Sequence, residues 1–314
     1  MKIIQFDEIT KLGISPIQCF DWVSDALKRK KEVILPAKIS LKTGQEGVFY
    51  NTMPVIIPFL GRGGLKLVTR YPSRLPSLES QILLYDLNDG SPLAIMDGTW
   101  ITAMRTGAVA AHSIQLLAKH DFSTLGFIGL GNTARCCMSV LLSLYPDRPL
   151  VVKLKKYKDQ HELFAKRFSS YKNVIFQYCD SYDETVKGSD VIVSAVTFFD
   201  QDICKNESFD KGVLLVPIHT RGFTNCDLFF DKVFADDVNH VKGFKYFSQY
   251  KSFAETASVI DGSAKGREND EERIIAYNIG IALHDIYFAS KIYDMLGDIP
   301  ASFSLDVPNE KFWC

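Results

Sequence analysis

The sequence predicts an α/β protein, with a parallel sheet covered by helices on both faces and a second, discontinuous α+β domain. Three observations carry that expectation. Between about residues 120 and 240, short apolar runs alternate with helix-patterned segments, the texture of a parallel sheet buried on both sides. Before that, β-prone runs follow one another with turn residues between them, without intervening helices. After it, the last long helix-patterned stretch has no neighbour in sequence and is expected to pack back on the first part of the chain.

Taken in order, SPIQCFDWVSDALKRK (15–30) opens with Ser15 at a helix N-cap position and Pro16 at the first helical position, then spaces its apolar residues helically. The runs EVILPAKISL, GVFYNTMPVI, LKLVTRY and QILLYDL read as strands. Asn88-Asp89-Gly90 separates the last of these from PLAIM and predicts a hairpin turn. MDGTWITAMRTGAVAAH (96–112) is an alanine-rich helical stretch with one arginine, Arg105, at its centre. Strands are then expected at 124–130, 149–155, 173–179, 190–196, 212–218 and 232–237, with helices over ARCCMSVLLSL, DQHELFAKRF and SYDETVKG. Residues 272–296 read as one long helix. The expected domains are 1–117 plus 285–314, and 118–284.

Composition narrows the function. Hydrophobic residues make up 46% and charged residues 23%, values of a folded globular chain, and the formal net charge is −1. No basic footprint for nucleic acid and no membrane-surface patch is expected from that balance. No apolar run spans a bilayer, and MKIIQFDEIT does not read as a signal peptide. Seven cysteines without a C-x-x-C pair point to reduced thiols and a cytoplasmic protein, and the six histidines form no metal-ligand spacing with them, so no metal site is expected.

GFIGLGNTAR (126–135) follows a strand and opens a helix, which is the context of a Rossmann dinucleotide turn. Gly129 and Gly131 take the first two glycine positions and Ala134 the third. Asn132 and Thr133 complete a helix start whose N–H groups face a pyrophosphate. The ribose reader is expected at the end of the second strand, where NAD sites carry Asp or Glu. Here VVKLKKYK offers Lys155 and Lys156 among four lysines and no acid before Asp159, which predicts NADP(H), with NAD(H) as the alternative; a solvated lysine face is the plain reading. Ser194 and Thr197, in SAVTFFD, sit where the fourth strand lines the cofactor.

Arg105 stays charged at any accessible pH and its burial needs an anion. Two readings stand at this point: a salt bridge to Asp86 or Asp97, or a clamp on a ligand carboxylate. Lys66, in a mostly apolar run, reads either as a point charge in a site or as a strand-edge lysine.

The order Asp97-Gly98, ITAMRTGAVAA, GFIGLGNTAR resembles the ornithine cyclodeaminase/mu-crystallin family. So do GGLKLVT (63–69), KGREND (265–270) and NIGIALHD (278–285), over nearly the whole chain. The resemblance implies a two-domain, homodimeric enzyme with a Rossmann domain and a substrate-binding and dimerisation domain. It implies that Arg105 and Lys66, joined by Lys38, hold the carboxylate of a small amino or imino acid beside the nicotinamide. Cyclising members carry an aspartate in the loop after the fifth Rossmann strand. In VPIHTRGFTNCD (216–227) His219, Thr220 and Arg221 occupy that place and Asp227 comes later. Replacing a carboxylate by an arginine reverses the local charge. The expected activity is therefore NAD(P)H-dependent imine or ketimine reduction, or amino-acid dehydrogenation. His219 stands as a proton donor or an ordinary loop histidine, and Arg221 as a substrate-binding or surface arginine. Ornithine or lysine cyclodeamination with bound NAD, and small-ligand binding without turnover, are the alternatives.

Overall fold

A computed structural model describes residues 1–196, 203–218 and 226–297. The chain forms two units. Unit 1 comprises Met1–Gly13, Glu32–Ile101 and the chain from Asp285 on; unit 2 comprises Ile14–Lys31 and Thr102–His284. This division differs from the one expected at residue 117. The helix after Ser15 belongs with unit 2, because its buried face of Cys19, Phe20, Val23 and Leu27 packs there, with Phe20 stacked on His112 at 5.3 Å.

The strands of unit 1 are β1 (Lys2–Ile4), β2 (Ile39–Lys42), β3 (Phe49–Ile57), β4 (Arg62–Arg70), β5 (Leu78–Asp86) and β6 (Pro92–Asp97). They form one sheet in the order β1-β6-β5-β4-β3-β2, antiparallel except for the β1–β6 pair. The β5–β6 turn contains Asn88-Asp89-Gly90 as expected; Gly90 has φ +75°, and the Asp86 carboxylate accepts the Asn88 N–H at 2.8 Å. Helix α1 (Phe6–Lys11) follows β1.

Unit 2 opens with α2 (Pro16–Lys28), whose start is a reciprocal cap: Ser15 Oγ accepts from Gln18 N at 3.2 Å and Gln18 Oε1 from Ser15 N at 3.0 Å. The arginine helix is α3 (Thr99–Leu117), and the alternating part runs β7 (Thr124–Ile128), α4 (Asn132–Leu144), β8 (Leu150–Lys155), α5 (Gln160–Arg167), β9 (Val174–Cys179), α6 (Tyr182–Val186), β10 (Val191–Ser194), β11 (Leu214–Pro217), β12 (Lys232–Ala235), α7 (Val238–Val241), β13 (Phe253–Glu255), α8 (Thr256–Ile260) and β14 (Ile274–Tyr277). The sheet is wholly parallel, in the order β13-β12-β14-β11-β10-β7-β8-β9. Strand order reverses at the β7–β10 junction, and ligands bind outside the carboxyl ends of strands at such a switch point.

The expected helix over 272–296 is corrected. Ile274–Tyr277 is a fully buried strand, and α9 begins only at Ala282, running to Leu296. Four consecutive apolar residues covered on both faces carry no periodicity that separates strand from helix. Gly280, at φ +92°, makes the break.

Candidate active site

The turn from β7 to α4 has the geometry of an anion cradle. Gly129 has φ +84°, and a Cβ there would stand 2.7 Å from the carbonyl carbon of Ala195, so the turn passes close against the end of β10. Gly131 is different. Its φ is −75°, it occupies the N-cap position of α4 without a side-chain cap, and a Cβ on it would meet nothing within 4 Å. The protein itself therefore has no steric need for glycine at 131, whereas a ligand approaching the helix start does. Asn132, Thr133 and Ala134 form the first turn, with Ala134 fully buried against the sheet. These residues fit a dinucleotide pyrophosphate, whose charge the helix N-terminus favours.

At the end of β8, Lys155 Nζ donates to Lys156 O at 2.9 Å and lies 5.2 Å from the Tyr182 ring centre. Lys156 Nζ pairs with Asp180 at 2.9 Å, and that hydrogen bond raises the lysine's pKa and lowers the aspartate's. Both expected cations are thus present and already engaged, the Lys156–Asp180 pair in solvent where such pairs exchange at little cost. Arg135 adds a further cation here that the lysine run does not announce. From the first turn of α4 its Nε donates to Leu130 O at 3.2 Å and its Nη2 to Gln160 Oε1 at 3.0 Å, which carries a guanidinium to the start of α5. Ser194 ends β10 and is buried. Thr197, His219 and Arg221 lie outside the described residues.

Arg105 is 5% exposed on α3. Its guanidinium fork faces the side of Gly280 where a side chain would stand: a Cβ at that residue would lie 2.8 Å from Nη1 and 3.2 Å from Nη2. The Gly280 N–H is fixed in turn by the carboxylate of Asp236, the residue after β12. His284, wholly buried nearby, has its pKa pushed down to about 3 by burial and then by the Arg105 charge, so it is neutral at physiological pH. Ser113 Oγ donates to Asn278 Oδ1 at 3.1 Å, joining α3 to the end of β14. At the other end of α3, Arg267 of the KGREND segment donates from Nε to Leu117 O at 2.8 Å. The motif's arginine thereby satisfies a helix-terminal carbonyl.

Of the two carboxylates weighed for Arg105, Asp86 pairs with Arg62 at 3.4 Å, and Asp97 accepts the Thr99 N–H at 2.8 Å at the start of α3. Glu255 is structural: it pairs with Lys30 at 2.7 Å and accepts the Val238 N–H at 2.8 Å.

In unit 1, Lys66 does not sit at a strand edge. It is at the middle of the interior strand β4, opposite Met53 on one side and Ile82 on the other, and is 1% exposed. Its Nζ is 2.7 Å from Asp285 Oδ1, and Asp285 is completely buried. Lys38 is half-buried, just before β2. Asp285 is the residue whose role the sequence did not disclose. It falls within NIGIALHD, but nothing local names its partner.

The model of the ornithine cyclodeaminase/mu-crystallin family matches residues 2–298. The chain belongs to the ornithine cyclodeaminase/mu-crystallin family. It is 26% identical to a Bacillus cereus Δ1-pyrroline-2-carboxylate reductase over 94% of this chain and 96% of that one. It is 27% identical to the mouse ketimine reductase mu-crystallin over 83% of this chain and 85% of that one. The Thermococcus litoralis Δ1-pyrroline-2-carboxylate reductase, solved with NADH and L-proline, shares the fold with a TM-score of 0.83 at 23% identity, covering 94% of this chain and 97% of that one.

Set against this family, Asp227 is the telling residue. Cyclising members are expected to aim a carboxylate from the loop after the fifth Rossmann strand at the substrate. Asp227 is 1% exposed and accepts the hydroxyls of Tyr250, at 3.0 Å, and of Tyr277. Burial raises its pKa to about 6. Its oxygens are committed to the core beside Cys226 and Phe230.

Proposed function

We propose that this protein is an NAD(P)H-dependent oxidoreductase acting on the C–N bond of a small imino or amino acid, reducing an imine carbon that bears a carboxylate. The observation that carries the reading is Arg105: a buried guanidinium whose Nη fork faces Gly280, at the carboxyl end of the parallel sheet, which also holds the glycine turn. A forked donor held there suits a carboxylate.

When bound, the reduced nicotinamide supplies the hydride. Arg105 and Lys66, with Lys38, hold the carboxylate and so fix the imine carbon for attack. Lys66 or His219 delivers the proton to the nitrogen, so that C=N becomes CH–NH as the cofactor is oxidised. Arg221 binds a second anionic group where the substrate carries one. Gly129, Gly131, Asn132, Thr133 and Ala134 hold the pyrophosphate, and Ser194 and Thr197 line the ribose and nicotinamide side. Lys155 and Lys156 favour NADP(H) over NAD(H). The protein works as a cytoplasmic homodimer, the assembly reported for an archaeal alanine dehydrogenase of the same fold. Cyclodeamination is the weaker reading, because the carboxylate nearest the critical loop is bound to two tyrosines.

The deciding experiment follows NADPH and NADH absorbance with pyrroline-2-carboxylate, piperideine-2-carboxylate and keto acids paired with amines. Stoichiometric cofactor consumption is expected, with the lower KM for NADPH. Ammonia release from ornithine or lysine without net cofactor change would replace this reading with cyclodeamination. Ligand-dependent thermal stabilisation without turnover would replace it with a binding role.

A further inference from the structure

The Lys66–Asp285 pair links residues 219 positions apart, and both side chains are out of solvent. Its placement has a local cause in Gly64, two residues before Lys66 on the same face of β4. A Cβ on Gly64 would meet the Leu83 carbonyl and stand 2.9 Å from Cδ1 of Ile286. Glycine therefore lets α9 settle onto the strand at Ile286, which brings its neighbour Asp285 to Lys66. Asp285 also stands in the first turn of a 15-residue helix, where a carboxylate is favoured. Burial alone works against a charged ammonium, whereas a carboxylate in contact favours it.

We propose that Asp285 is a positioning residue for the reaction, its carboxylate holding Lys66 protonated and aimed so that Lys66 meets the substrate as a cation. This rests on the reading of Lys66 as a substrate-binding group. A merely structural Asp285 would tie α9 to the sheet without affecting the protonation of Lys66.

The test is a double-mutant cycle of Lys66→Gln, Asp285→Asn and the double variant, with pyrroline-2-carboxylate and NADH as probes. The dissociation constant of NADH, read by fluorescence, reports that unit 2 is folded, and the melting transition followed by circular dichroism reports that unit 1, which carries both substitutions, is folded as well. The expected result is a fall of about 30-fold or more in kcat/KM for Asp285→Asn, no further fall when it is added to Lys66→Gln, and unchanged NADH binding. The alkaline limb of kcat/KM against pH moves to lower pH in Asp285→Asn. Losses that multiply in the double variant, or a wild-type alkaline limb in Asp285→Asn, would overturn the proposal. If Asp285→Asn does not fold, Asp285→Glu takes its place. It keeps the carboxylate, so the wild-type alkaline limb is expected at reduced kcat, and a displaced limb would count against the proposal. Near-native activity in Lys66→Gln would instead remove the reading of Lys66 itself.

Discussion

Replacing Gly280 by alanine isolates the placement of Arg105, because the perturbed atom is a methyl group on the residue facing the guanidinium. Two costs follow from the geometry. At φ +92° a side chain strains the backbone by about 1–3 kcal/mol. The new Cβ would also lie 2.8 Å from Arg105 Nη1, well inside the roughly 3.5–4.0 Å of a normal contact, so the guanidinium has to retreat by about 1 Å. Misplacing a positioning group by 1 Å costs about 100-fold in rate. The expected outcome is therefore a loss of about 100-fold in kcat/KM for pyrroline-2-carboxylate, with a melting temperature lower by several degrees. NADH affinity should be unchanged, because the glycine turn is untouched. Gly243→Ala provides the control, since a Cβ there meets nothing within 4 Å. Wild-type kcat/KM in Gly280→Ala would refute the assignment of Arg105 as the carboxylate clamp.

The remaining predictions concern the other parts of the site. Arg105→Ala is expected to lose about 2–4 kcal/mol of transition-state stabilisation in kcat/KM, and Arg105→Lys to recover only part of it because the fork is gone; equal activity of the lysine variant and wild type would contradict that. Gly131→Val should leave the melting temperature within about a degree while abolishing NADH binding, whereas Gly129→Val should lower both; calorimetry and fluorescence separate the two. His112 and His284 have folded-state pKa values of about 4 and about 3, below the ordinary histidine value, so the folded state takes up protons less readily than the unfolded chain. The stability they contribute is present above about pH 6.5 and falls on acidification by up to about 1.4 kcal/mol per pH unit for each histidine. Asp227, raised to about 6, works oppositely: its ionisation costs stability above that pH, and the cost disappears on acidification toward the ordinary carboxylate range. Asp227→Asn should thus be more stable than wild type at pH 8 and lose stability more steeply between pH 6 and 4; parallel denaturation curves across pH would exclude this.

Much of unit 2 was legible in the sequence because its rules are local. A glycine's conformational freedom, the Ser15 cap and the alternation of strands with helices each depend on a few neighbouring residues. So the β7–α4 turn and, in unit 1, the Asn88-Asp89-Gly90 hairpin could be named from the chain alone, whereas Lys66 and Lys38 were singled out as clamp residues through the family resemblance. Arg105 stood out locally, as a permanent charge on an otherwise apolar helix.

What escaped the sequence depended on burial from two sides or on distant partners. Ile274–Tyr277 became a strand because unit 2 covers both of its faces, a condition its own four residues do not encode. The helix after Ser15 looked like part of the first domain by position, yet its apolar stripe packs in unit 2, and amphipathicity states only that a face must be buried. The partner of Lys66 lay 219 residues away, in a motif without a stated role. By itself the sequence determined the glycine turn after β7 and the charge types proposed for the site, since these follow from backbone stereochemistry and side-chain charge. Only the tertiary structure decided that Arg105 faces Gly280 and that Asp285 meets Lys66, because such contacts arise where separately encoded elements pack.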